Sequence, residues 1–209
     1  MTIYLDPKWI RNFRDTLNKR AVRDKFSDVE GTDVWNIMCS ATDWIEVVVE
    51  TISNIKITVN GIGPDHQQTV ILMQYIVALD NLRQAIKQLY EFVIGPQSYP
   101  MSNDRSIFKQ EGVTDEQYFA HTRAVFATHP VDLHSINGVR TKDKETFYAS
   151  WASHDIGDND FIVFLYSSKP GKPSVPFGIK LDDVNRFTES RYALLDSLIR
   201  EIKRMCSLE

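Results

Sequence analysis

Apolar residues recur at helical spacing along the first 135 residues, and the period shortens to two after residue 140. Ile10, Phe13 and Leu17 fall at intervals of three and four, and Pro7 suits a first helical turn. Residues 7–20 are therefore expected to form an amphipathic helix. A second helix is expected after Gly31, capped by Thr32 or Asp33, with Val34, Met38, Ala41, Ile45, Val48, Ile52 and Ile55 on one face. The β-branched stretches at 47–49 and 55–59 limit its length. The longest stripe, Leu72, Ile76, Leu79, Leu82, Ile86, Leu89 and Val93, predicts a helix over about 66–94 that Gly95-Pro96 ends. That helix would be a rod of roughly 40 Å. Thr114-Asp-Glu-Gln117 has the form of a capping box and opens a fourth helix near residue 115, which Pro130 makes costly to continue.

Beyond residue 140, Phe147, Ala149 and Trp151 alternate with Tyr148, Ser150 and Ala152, and Phe161 to Tyr166 is a short aromatic-rich apolar run. Val175, Phe177, Ile179 and Leu181 alternate again. Turn residues at Asp155-Ile-Gly-Asp-Asn-Asp160 and Ser168-Lys-Pro-Gly-Lys172 predict consecutive antiparallel pairing of three strands. Val184, Phe187, Leu194, Leu195, Leu198, Ile202 and Met205 then predict a last helix that packs back on the bundle, because a lone three-stranded sheet is a poor core. The expected fold is α+β and predominantly an α-helical bundle (about 1–135). A small three-stranded antiparallel β-meander (about 145–181) and a long C-terminal helix (about 183–206) complete it. No repeat, low-complexity tract or linker divides residues 1–209, so a single domain is expected.

Composition narrows the function classes. A net charge of −4 over 209 residues excludes a generally basic nucleic-acid coat, and no stretch approaches the length of apolar residues that spans a bilayer. The start, Met1-Thr-Ile-Tyr-Leu-Asp-Pro7, lacks the features of a secretory leader, so a soluble cytoplasmic protein is expected. Cys39 and Cys206 have no CxxC spacing, which argues against a zinc site or a disulfide framework, and no cofactor is implied. Locally the balance reverses. Between Lys8 and Phe26 seven basic residues face two acidic ones, a balance of +5 that leaves −9 for the rest. Lys8, Arg11 and Arg14 on this segment are candidate RNA contacts, the alternative being a solvated face. Trp9, Trp35, Trp44 and Trp151 are expected to be core or interface anchors rather than base-stacking platforms.

Candidate chemistry concentrates in residues 114–134, where Tyr118, His121, Arg123, His129, Asp132 and His134 include three of the five histidines. One reading is metal binding through His121, His129, Asp132 and His134, although the spacing matches no established ligand pattern. His154-Asp155 with Asp158 and Asp160 reads as a turn. Ser153-His154-Asp155 is no hydrolase triad, because neighbouring strand residues point to opposite faces. Gly171-Lys172 lacks the upstream glycine of a P-loop. The other reading rests on Arg123-Ala-Val-Phe-Ala-Thr-His129, an arginine followed six positions later by a histidine at the end of a bundle helix.

That segment resembles the RX4–6H signature of the HEPN superfamily, helical-bundle proteins that include metal-independent endoribonucleases and non-catalytic relatives. The resemblance covers about the first 135 residues. It implies that Arg123 holds the scissile phosphate, that His129 is the general acid or base, and that a second copy in a homodimer completes the site. A toxin or phage-defence setting is also implied. Elementary chemistry agrees: imidazole titrates near neutrality, and an arginine fork stabilises charge growing on phosphate oxygens. On an ideal helix, six positions leave the two side chains about 120° apart, so joint action needs a distortion before Pro130 or a partner subunit. The rival expectation is a non-catalytic module whose helices dimerise or dock a partner protein.

Overall fold

In the computed structural model, which describes residues 3–58, 66–141, 145–152 and 158–208, the chain is α+β. The helices are α1 (Pro7–Leu17), α2 (Arg20–Phe26), α3 (Val34–Thr51), α4 (His66–Val93), α5 (Asp115–Arg123), α6 (Leu181–Tyr192) and α7 (Leu194–Met205). A short hairpin pairs β1 (Ser135–Ile136) with β2 (Val139–Arg140). A separate antiparallel sheet of order β3-β4-β5 is built from Phe147–Trp151, Phe161–Ser167 and Val175–Ile179. The chain divides into two compact units, one containing residues 3–54, 78–100 and 188–209, the other residues 55–77 and 101–187.

The first unit is helical. Asp6 caps α1 by accepting the Lys8 N–H at 2.9 Å, Pro7 occupies the first turn, and Ile10, Phe13 and Leu17 are buried. The Tyr192 hydroxyl donates to the Asp6 carbonyl at 2.7 Å and accepts the Ile10 N–H at 3.3 Å, while Trp9 stacks on the Tyr192 ring at 5.4 Å. Asp33 is the N-cap of α3, accepting from the Asn36 N–H. The helix passes at Thr51 into a 3-10 turn, Ile52–Asn54. Helix α2 is an addition to the expected elements. It has only seven residues and no side-chain cap, but Val22 and Phe26, four apart, bury one face. The C-terminal helical run covers residues 181–205 with one interruption at Ala193, and α7 packs against α1. Among the described residues no helix is long and apolar enough to cross a membrane.

The second unit packs α5 against the meander. Val163 faces Trp151 and Phe177 across the sheet, and Leu165 faces Ala149 and Val175. Tyr118 from α5 lies 5.5 Å from the Phe177 ring, and Phe119 stacks on Phe187 at 4.5 Å. Pro176 is exposed on β5, a strand at the sheet edge, where no ladder donor is needed. The β1–β2 hairpin was not anticipated, although its turn is Asn137-Gly138, with φ of 48° and 84°. A Cβ on Gly138 would lie 3.1 Å from the Gln117 carbonyl oxygen and 3.2 Å from its carbon, so both space and φ require glycine. Gly138→Ala is expected to cost about 1–3 kcal/mol, read as a lower urea midpoint; an unchanged midpoint would mean that the hairpin moves freely on α5.

Candidate functional site

Helix α5 begins with a reciprocal capping box. The Thr114 hydroxyl accepts from the Gln117 N–H, and the Gln117 side chain accepts from the Thr114 N–H. Asp115, 1% exposed, accepts from the Ile107 and Phe108 N–H groups at 2.9 and 3.1 Å and fastens the preceding loop to the positive end of the helix. Tyr118 and His121 then point onto the meander. The Tyr118 hydroxyl donates to the Gly178 carbonyl at 3.2 Å, and burial pushes its pKa up to about 12. His121 is buried edge-on against Phe177, with Nδ1 2.9 Å from the Ser135 hydroxyl and Nε2 without a hydrogen-bond partner. Burial lowers its pKa to about 4, so the ring is neutral near pH 7. Arg123, the last α-helical residue, is half-buried.

The helix does not simply stop there. Residues Ala124–Thr128 form a π-helical turn, closed by the His129 N–H donating to the Ala124 carbonyl at 2.9 Å. This wider turn places the His129 backbone over Ala124. His129 leaves the helix at φ −137° and ψ 45°. Its carbonyl accepts from the Asp132 N–H at 3.1 Å, in a turn with Pro130 at the favoured second position. The Pro130 carbonyl in turn accepts from the Ala149 N–H of β3 at 2.6 Å, and Leu133 bridges to Phe147. The backbone at 129 is thus held from both sides, while the imidazole is exposed and makes no hydrogen bond or ion pair with any described residue.

The alternative metal cluster does not assemble. His121 is buried against Ser135 and Phe177, whereas His129, Asp132 and His134 are exposed, with Asp132 and His134 3.5 Å apart as a surface pair. Among the described residues no three His, Cys, Asp or Glu side chains converge as metal ligands. Both cysteines are free. The His154-Asp155 part of the acidic turn lies outside the described residues.

The proposed RNA contacts divide. Lys8 and Arg11 are exposed on α1, but Arg14 is turned to α3, where it pairs with Asp43 at 2.8 Å and with Glu46. The bond to Asp43 raises the Arg14 pKa, and its charge is answered within the helical unit. Such acidic partners on a neighbouring helix are invisible to local charge counting. Trp9 and Trp35 are anchored as expected, the Trp35 Nε1–H donating to the Leu17 carbonyl at 3.2 Å under a cation–π contact with Arg23. Trp44 lies outside the core and stands 57% exposed. It lines a groove of about 650 Å³ between α3 and α4, together with Ile37, Ala41, Asn81, Gln84 and Ala85. Sequence reasoning missed this groove, although Trp44 falls off the buried stripe of α3, and Asn81, Gln84 and Gln88 repeat at helical spacing on α4.

Compared with models of known protein families, with curated protein sequences and with solved structures, the chain matches none.

Proposed function

We propose that the chain is a HEPN-like protein that cuts RNA without a metal ion, with His129 moving a proton and Arg123 holding the phosphate. The exposed His129 imidazole, carried six residues after the half-buried Arg123 on a backbone fixed by its hydrogen bonds to Ala124 and Asp132, supports this reading. In the reaction the 2′-oxygen bonds to phosphorus, the bond to the 5′-oxygen breaks, one proton leaves the 2′-hydroxyl and one reaches the departing oxygen. A single imidazole serves one of those transfers at a time, so a second copy in a homodimer provides the other. Lys8 and Arg11 attract the RNA backbone.

Incubating mixed-sequence single-stranded RNA with the protein in excess chelator tests the proposal. Fragments ending in a 2′,3′-cyclic phosphate and a 5′-hydroxyl are expected. Intact RNA would overturn it in favour of a non-catalytic interaction or dimerisation module, the reading favoured by the exposed Trp44 and Val47 on α3.

A further inference from the structure

The α3–α4 groove belongs to the helical unit, and neither Arg123 nor His129 takes part in it. Its volume of about 650 Å³ falls in the range of small-ligand sites. Three features limit what it can hold. Its lining contains no charged side chain, so a phosphate or carboxylate would find no counter-charge there. Ile37, Ala41 and Ala85 are small or apolar and admit a flat body, and the exposed indole of Trp44 offers a π-face beside it. The polar groups are the Ser40 hydroxyl and four carboxamides. Those of Asn36 and Gln88 are engaged by Asp33 and Glu91, whereas Asn81 and Gln84 make no hydrogen bond with any described residue.

A carboxamide presents a donor and an acceptor side by side, the pattern that pairs with adenine N7 and its exocyclic amine. Asn81 and Gln84 are three apart on α4, share one face and line the same groove. We propose that this groove binds an adenine base, stacked on Trp44 and read by Asn81 and Gln84, with its sugar directed to the open side. The neutral lining selects the base and not the phosphate. The base can belong to a free nucleoside or to a single-stranded RNA, and the assignment does not depend on cleavage at His129.

Calorimetric titration with adenosine, uridine and a short all-adenine RNA tests the assignment, using the full chain and its Trp44→Ala and Asn81→Ala/Gln84→Ala variants. These surface changes leave the buried faces of both helices intact. Adenosine is expected to bind, uridine to bind at least about tenfold more weakly, and either variant to lose about tenfold or more. Binding of the RNA alone, with the same sensitivity to the variants, would support the groove as a strand-bound adenine site. Binding unchanged in both variants, equal affinity for uridine, or no binding by adenosine and RNA alike would overturn the proposal.

Discussion

His129→Ala is expected to slow RNA cleavage by roughly two to four orders of magnitude, the usual worth of a positioned proton-transfer group, with no change in thermal midpoint. The two expectations can be separated because the exposed imidazole makes no hydrogen bond, ion pair or ring contact with any described residue. The Ala124 and Asp132 hydrogen bonds that fix position 129 come from the backbone and survive the substitution. Arg123→Ala is expected to cost about two to three orders of magnitude through lost phosphate stabilisation. Arg123→Lys should recover only part of this, since an ammonium keeps the charge but not the planar fork. Single-turnover rates at saturating RNA make the comparison. Equal rates in wild-type and His129→Ala protein would place the chemistry elsewhere or assign it to a contaminant.

The second large effect is on stability in acid. His121 is 3% exposed, and burial lowers its pKa from an ordinary 6.5 to about 4. As pH falls, the unfolded chain therefore takes up the proton first, and each further step favours unfolding. The contribution is fully present above about pH 6.5 and is lost progressively down to about pH 4, a total of about 3 kcal/mol. His121→Leu keeps the packing against Phe177 and removes the titrating group, so its stability should fall less steeply over that interval. Urea midpoints measured across it for both proteins provide the test. Parallel slopes would mean that the acid sensitivity comes from other groups, such as Glu145, whose bonds from Lys172 and Ser167 hold its pKa down and are lost at lower pH.

Much of the architecture is visible in local pattern. The stripe from Leu72 to Val93 becomes α4, the capping box at Thr114 opens α5, and the three alternating segments pair as a meander. Each of these signals is repeated over several residues, so one misplaced side chain does not blur it. The short elements were harder to see. Helix α2 rests on two buried residues, and the Asn137-Gly138 hairpin has strands of only two residues each, although its turn chemistry was plain.

The sequence by itself determined the α+β class, the main helix starts and the presence of Arg123 and His129 near a helix end, because propensity, capping and hydrophobic period act within a few residues. Only the tertiary structure decided what those side chains meet. It opened a π-turn before Pro130, buried His121 against Phe177 while leaving His129 in solvent, and drew Arg14 into pairs with Asp43 and Glu46. It also left Trp44 beside free carboxamides from another helix. These outcomes depend on which faces of distant segments come together, and no spacing along one segment encodes its neighbour's charge, shape or distance.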